Sequence, residues 1–258
     1  MDETTFRKCL ADLPIAQIRY FESIGSSNDE ALAWVTSGAP DLSLIYTEEQ
    51  TSGRGRMGRT WFTPPGTALA LSLILRPTGM ERKNIGLFSG LGALALVSAL
   101  RKYGVTAQIK WPNDVLINQR KTAGILAEAI WMGDEAESVV LGIGVNVAPE
   151  SVPPSEMLGF PATCVLAEAA VPVDRFDLLR TLLLELIAWR TRLASAEFLR
   201  AWDEALAFRG EMVQVWMGEA EPITGQVDGI ETDGSLRLRL DNNEIRVVHF
   251  GEVHLRPL

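Results

Sequence analysis

Arginine and glycine alternate in one short stretch of the chain, residues 53 to 61, which reads GRGRMGRTW. Glycine lets the backbone approach a ligand closely. The guanidinium groups of Arg54, Arg56 and Arg59 are planar forks that suit carboxylate and phosphate groups. The stretch therefore predicts a mobile loop that closes over an anion. A solvated basic turn is the plainer alternative, and Trp61 at the end of the stretch counts against it.

Two further stretches place polar residues next to strand-like runs. Residues 110 to 114 read KWPND, and Arg120 and Lys121 close a polar turn before the run TAGILAE. Residues 142 to 146 read GIGVN, and a glycine within a strand usually marks a bulge or the close approach of another group. Taken singly, each stretch has a structural alternative, in which the lysines are edge charges and the tryptophans pack in the core.

The charge balance limits the partners of the chain. Its 24 basic and 33 acidic residues give a net charge of -9, which argues against broad binding to nucleic acid. Cys9 and Cys164 are too few and too far apart to suggest a disulfide framework or a zinc site of paired cysteines. The only histidines, His249 and His254, lie near the C-terminus, which excludes a histidine triad elsewhere.

The N-terminus lacks the basic start and apolar run of a secretory signal. The longest apolar stretch, residues 84 to 103, is rich in glycine and alanine and ends in Arg101 and Lys102. We interpret it as a buried helix with cations at its C-terminal end, not as a membrane span. A reducing cytoplasm is the predicted location, and no membrane role is expected.

The elements that position these stretches are predicted from periodicity. Strand-like runs cover residues 15–22, 42–49, 67–75, 106–110, 114–118, 122–131 and 138–147. Helical patterns cover residues 27–37, 84–103, 162–169, a long stretch capped by Asp174, and 195–208. The order of these elements predicts an α+β fold, in which helices flank a mixed β-sheet.

From Gly210 the pattern changes to short alternating strands separated by turn residues, such as Asp233-Gly234. This change predicts two domains. Residues 1–209 form the larger domain with the candidate site, and residues 210–258 form a small all-β module.

In this order and at these spacings, the three motifs resemble the catalytic domain of biotin protein ligases. The similarity covers about residues 15 to 150 closely, and the C-terminal module resembles the small Src-homology-type barrel of that family. The resemblance implies a class II synthetase-like fold of the biotin/lipoate ligase type. The first family segment, residues 26 to 28, lies too close to the start to leave room for a winged-helix domain, so a monofunctional form without DNA binding is expected.

The resemblance implies an activity: ATP adenylates biotin to biotinyl-AMP, and the biotinyl group passes to a lysine of a biotin carboxyl carrier protein. Lys121 is expected to bridge the biotin carboxylate and the α-phosphate, and Arg56 to hold the phosphate. The implied biotin-binding residues are Ser26, Ser27, Asn28, Gln50, Gly53, Arg54, Lys121, Gly124 and Gly142. The implied ATP-binding residues are Arg54, Arg56, Arg59, Trp61, Lys110, Asn113, Asp114, Lys121 and Asn146. Asp114 is also expected to help to hold Mg²⁺ as an oxygen ligand.

Two features depart from the family pattern. Ser27 stands where the family often has threonine; serine keeps the hydroxyl but lacks the methyl group. Met57 occupies a loop position that varies in the family. Two other functions stay open: a lipoate ligase with the same adenylate chemistry, and a non-catalytic module whose arginine loop binds RNA. Cys164 as a nucleophile, as in the related octanoyl transferases, is disfavoured because it has no neighbouring histidine. The sequence also leaves open whether the chain forms a homodimer.

Overall fold

A computed structural model describes residues 3–218, 221–249 and 253–257. Its larger sheet has seven strands in the order β1-β2-β3-β7-β6-β5-β4. These strands are β1 (Gln17–Ile24), β2 (Ser43–Gln50), β3 (Ala68–Leu75), β4 (Ala107–Lys110), β5 (Asp114–Ile117), β6 (Arg120–Met132) and β7 (Glu135–Asn146). β1 and β2 are parallel, and the other neighbours are antiparallel. The predicted mixed sheet is therefore confirmed, and each strand ends within three residues of its predicted bounds.

Helices pack against this sheet. They are α1 (Glu3–Cys9), α2 (Ser27–Thr36), α3 (Leu87–Leu100), α4 (Val165–Glu168), α5 (Arg175–Arg190) and α6 (Ala196–Glu204). α3 is buried almost throughout, in agreement with its interpretation as a core helix. The Asp174 side chain accepts hydrogen bonds from Phe176 N and Asp177 N, so it caps α5 as predicted. Among the described residues, no helix is long and apolar enough to cross a membrane.

Two helix predictions need correction. α6 ends at Glu204 and not at residue 208, because the following backbone pairs with β4. Ile109 N donates to Ala205 O at 2.7 Å, and Ala207 N donates to Ile109 O at 2.9 Å. α3 is shorter than the predicted 84–103, because 3₁₀ turns flank it and Gly104, at φ +71°, ends the second turn. α1 is an element that periodicity missed, and its Phe6 is fully buried.

A second sheet of five antiparallel strands follows, in the order β11-β10-β9-β8-β12. Its strands are β8 (Met212–Met217), β9 (Ile223–Ile230), β10 (Leu236–Arg239), β11 (Ile245–Val248) and β12 (Val253–Pro257). This sheet confirms the predicted small all-β module, although residues 219–220, 250–252 and 258 of that range lie outside the described residues. The β9–β10 turn contacts the larger domain, where Trp111 Nε1 donates to Gly234 O at 3.0 Å.

Candidate active site

The three sequence motifs meet at a single pocket over the middle of the larger sheet. The predicted site residues that line it are Ser26, Ser27, Asn28, Gln50, Arg54, Arg56, Arg59, Trp61, Lys110, Asn113, Asp114, Lys121, Gly124 and Gly142. Gly53 lies behind this lining, where a Cβ atom would come within 2.4 Å of Trp61 O. Asn146 lines an adjoining cavity. Trp111 is 1% exposed, so it is a core side chain, as the structural alternative for the tryptophans predicted.

Glycines on two paired strands form the floor under Trp61. Gly124 and Gly144 are register partners on β6 and β7. A Cβ atom at Gly144 would lie 2.3 Å from Trp61 Nε1, and one at Gly124 would lie 3.1 Å from the same ring. A side chain at either position would crowd the ring, so glycine lets the indole approach the backbone of the sheet this closely. Gly144 was not assigned a role from the sequence, although its place in the GIGVN strand was the available signal.

The end of the pocket beside α2 is a network of hydrogen bonds between polar side chains. Gln50 Oε1 accepts from Ser27 N at 2.9 Å and from Ser27 Oγ at 3.1 Å. Ser72 Oγ donates to Asn28 Oδ1 at 2.5 Å. A Cβ atom at Gly142 would lie only 2.2 Å from the same Oδ1. Sequence reasoning missed Ser72, whose signal is that it is the single polar residue of the buried strand ALALSLIL.

The opposite end of the pocket is cationic. Lys110 and Asp114 face each other across the β4–β5 pair, with Lys110 Nζ 3.5 Å from Asp114 Oδ2. A bulge where β5 pairs with β6 interrupts the register beside Lys121, and such bulges re-aim side chains. Lys121 Nζ lies 2.6 Å from Asp114 Oδ1. Two lysines therefore share one carboxylate, and the group of three keeps a net positive charge.

Burial sets the proton affinities of this group. It lowers the pKa of Lys110 to about 8, although the charge of Asp114 opposes the shift. Burial alone raises the pKa of Asp114, but Lys121 and Lys110 outweigh it and hold that pKa below its usual value. Among the described residues, no three His, Cys, Asp or Glu side chains cluster as a metal site. The predicted Mg²⁺ role of Asp114 stays a prediction.

The arginine loop forms a small hairpin over the pocket. Trp61 N donates to Gly53 O at 2.8 Å, and Gly55 N donates to Arg59 O at 2.7 Å. Arg56 Nη1 donates to Asn113 Oδ1 at 3.2 Å, and burial lowers the pKa of the Arg56 guanidinium. The loop is closed in this structure, and its predicted mobility stays a prediction.

A second cavity of about 520 Å³ adjoins the pocket and shares its wall at Arg59, Thr60, Trp61, Asp114 and Lys121. Asn146 is 2% exposed here, and its Oδ1 has no hydrogen-bond partner among the described residues.

The amide of Asn113 is used differently from that of Asn146. It donates to Ile125 O at 2.8 Å and accepts from Arg56, so its predicted contact with adenine stays a prediction. The whole arrangement is two compartments that meet at Lys121. Such an arrangement can bring two anionic groups together and neutralise their repulsion.

Comparison with known families agrees with this geometry. The model of the biotin/lipoate A/B protein ligase family matches residues 20–146. The model of the biotin protein ligase C-terminal domain matches residues 209–256. The two matches fall on the larger sheet with its pocket and on the five-stranded sheet.

Similar individual proteins carry related names. A biotin--[acetyl-CoA-carboxylase] ligase of Paracoccus denitrificans is 38% identical over 83% of this chain and 90% of its own length. A bifunctional ligase/repressor of Bacillus spizizenii is 37% identical over 64% of this chain, which spans only about half (51%) of that relative. The biotin protein ligase of Aquifex aeolicus, solved with biotin and ATP, superposes with a TM-score of 0.80 at 25% identity and covers 94% of this chain and 100% of its own.

Proposed function

The chain belongs to the biotin protein ligase family, and we propose that it uses ATP to adenylate biotin and then transfers the biotinyl group to a lysine of a biotin carboxyl carrier protein. In the first step a biotin carboxylate oxygen attacks the α-phosphorus of ATP, and pyrophosphate leaves. In the second step the neutral amine of the acceptor lysine attacks the carbonyl carbon of the mixed anhydride, and AMP leaves with the bonding electrons.

The observation that carries this proposal is the position of Lys121 in the wall between the two cavities. A carboxylate in one cavity and a phosphate in the other both come within reach of one ammonium group. Lysine suits this place because its charge is compact and its three donors rotate freely. Asp114, at 2.6 Å, holds the ammonium group in position.

Biotin fits the first pocket because its ureido ring both donates and accepts hydrogen bonds. Gln50, Ser26 and Ser27 supply hydrogen-bonding groups at the end beside α2, while the ring of Trp61 and the side chain of Leu126 supply apolar wall. Lipoate lacks the ureido group, so it cannot form hydrogen bonds of this kind with these polar side chains. A site built for such hydrogen bonds rejects a ligand that cannot make them.

The nucleotide is proposed to occupy the second cavity. The Oδ1 of Asn146, which has no hydrogen-bond partner in the described part of the chain, is an acceptor for the exocyclic amine of adenine, and Trp61 offers a ring face. Arg59, together with Arg256 of β12, adds positive charge. Asp114 is already paired with two lysines, so the residues present do not fit a resident metal ion. Mg²⁺ is therefore proposed to arrive as part of the MgATP substrate, with phosphate oxygens as most of its ligands.

The low pKa of Lys110 gives a testable pH dependence. Below pH 8 the ammonium form helps to bind the phosphates, and above pH 8 that charge is lost. We expect kcat/KM for ATP in the adenylation half-reaction to fall about ten-fold per pH unit at high pH, because kcat/KM reports groups of the free enzyme. An ordinary lysine, with a pKa near 10.4, leaves the profile flat to about pH 9.5.

The control for this profile is Lys110→Arg, whose side chain keeps its charge across the range. Its profile should stay flat at high pH, even if its absolute activity is lower. A profile of the unaltered protein that is flat to about pH 9.5 contradicts the role given to Lys110.

Transfer to a carrier tests the proposed function as a whole. The protein is incubated with biotin, MgATP and a biotin carboxyl carrier domain, and the carrier is analysed by intact-mass and peptide mass spectrometry. The expected result is one added biotinyl group on one lysine, which depends on ATP. A carrier that stays unmodified, while the protein binds an RNA oligonucleotide tightly, favours the non-catalytic alternative.

A further inference from the structure

Arg54 differs from the other two arginines of the loop, because carboxylates already surround it. Its Nη1 donates to Glu128 Oε1 at 3.0 Å and its Nη2 to Glu128 Oε2 at 2.8 Å. Arg54 Nη2 also lies 2.8 Å from Asp29 Oδ1. These hydrogen bonds to Glu128 raise the pKa of the Arg54 guanidinium above its already high value. Two parallel bonds between a planar fork and a carboxylate fix orientation as well as distance.

The charges show what this cluster does not do. One guanidinium and two carboxylates, Asp29 and Glu128, leave a net charge of about -1. A phosphate or carboxylate ligand is not attracted to a group with that balance. The positive charge of Arg54 is therefore paired with carboxylates of the protein, whereas Arg56 hydrogen-bonds to the neutral amide of Asn113.

Glu128 is held from the other side by the pocket itself. Asn28 Nδ2 donates to Glu128 Oε2 at 2.6 Å, and Asn28 Oδ1 accepts from Ser72 Oγ. Glu128 lies on β6, in the middle of the seven-stranded sheet, and Asp29 lies in the first turn of α2. The two carboxylates are thus fixed points on the body of the domain, and Arg54 is a point on the loop.

The cross-strand bridge between Arg54 and Thr60 joins the two arms of the loop into one hairpin. Anchoring Arg54 therefore also places Arg56 and Trp61, which belong to the same hairpin. Met57 at the tip is 45% exposed and contributes little anchoring.

We propose that Glu128, assisted by Asp29, is a positioning residue that latches the arginine loop over the pocket through Arg54. The latch, defined as Arg54 with Glu128 and Asp29, keeps the adenylate enclosed between the two chemical steps and makes no contact with the phosphate. The closed loop is present in the structure, whereas the effect of the latch on the adenylate rests on the proposed function.

Glu128→Gln tests the latch without a change of size. An amide oxygen can still accept from Asn28, but the ionic pair with Arg54 is lost. In the full-length protein without ligands, we expect amide hydrogen exchange in residues 53–61 to become about ten-fold faster, a modest value for one charge-assisted pair that is partly exposed to solvent. Asp29→Asn, which removes the single contact, should produce a smaller increase at the same residues.

Glu137→Gln, on the neighbouring strand β7, is the matched control, because it removes a carboxylate that pairs with Arg76. It should leave exchange in the loop unchanged. The double variant Glu128→Gln with Arg54→Gln should exchange no faster than Arg54→Gln alone, because both changes break one interaction. Unchanged exchange in Glu128→Gln overturns the latch, and so does an increase that is equally large in the buried strand β7.

The second readout uses the reaction. In a single turnover with biotin and MgATP, Glu128→Gln should form adenylate at nearly the normal rate and release it about ten-fold faster, since the lost bond acts on loop opening. Faster hydrogen exchange in Glu128→Gln, with no adenylate from either the variant or the unaltered protein, contradicts the proposed function but still supports the latch. Slower adenylate formation with unchanged exchange places Glu128 in the chemistry and overturns its positioning role.

Discussion

Lys121→Ala is expected to reduce biotin-dependent pyrophosphate exchange by roughly a hundred-fold or more, which corresponds to about 3 kcal/mol of lost charge stabilisation. The ammonium group stands where two anions must approach, and the variant leaves their repulsion uncompensated. ATP binding should weaken much less, since Arg56, Arg59 and Lys110 line the same two cavities. Initial rates of exchange, together with calorimetric titration of ATP, separate the two effects.

The variant should fold, because Asp114 keeps Lys110 as a partner. Lys102→Ala is the matched control, since Lys102 is half exposed and pairs with Asp177 away from the pocket. It should keep normal exchange. Normal pyrophosphate exchange in Lys121→Ala contradicts the bridging role. Equal losses in ATP binding and in pyrophosphate exchange indicate that Lys121 contributes to ATP binding and has no special role in the chemistry.

Arg56→Gly is expected to release the intermediate before transfer. The change removes the charge-assisted hydrogen bond expected between Arg56 and the phosphate of the adenylate, worth about 1.5 to 3 kcal/mol, and adds backbone freedom to the loop. If that energy appears in the release rate, escape becomes roughly ten- to a hundred-fold faster. Free biotinyl-AMP then acylates exposed lysines without regard to their surroundings, whereas the unaltered protein should modify one lysine of its carrier.

Albumin added as a bystander reports the leak, and peptide mass spectrometry maps the biotinylated lysines on both proteins. Arg82→Gly serves as control, because Arg82, like Arg56, lies in a short 3₁₀ turn, and it pairs with Glu135 outside the pocket. It should label only the carrier. If Arg56→Gly still makes adenylate and labels only the carrier, Arg56 is not the residue that retains the intermediate.

The family and the type of fold could be predicted from the sequence, because both depend on local patterns. Strand periodicity and the Asp174 cap are local, and the family suggested by the three motifs is confirmed by the relatives. The motifs also contain charged groups that residue identity alone reveals, such as the guanidinium of Arg56 and the ammonium of Lys121. That these residues line one pocket follows from the strand order, which brings β6 beside β7 and the loop above them.

Other features depend on contacts between distant residues, and no local pattern reveals them. Residue 128 is 74 positions from Arg54, so nothing in the sequence ILAEAI marks Glu128 as its partner. Residues 205–207 look helical, yet they pair with β4, because backbone hydrogen bonds across the fold outweigh a weak helical preference. The separate uses of Trp61 and Trp111 were likewise unresolved, since both residues have a large ring and only tertiary contacts distinguish pocket from core.

We propose that the pocket activates the carboxylate of biotin as a mixed anhydride with AMP. The exchange of labelled pyrophosphate into ATP measures this step alone, without a carrier protein, and biotin and lipoate are compared at equal concentration. We expect exchange that depends on biotin, and exchange with lipoate at least about a hundred-fold slower, because a hydrogen-bonding pocket discriminates strongly against a ligand without the ureido group. Equal pyrophosphate exchange with both acids, or none with biotin, contradicts the proposed activation of biotin in this pocket.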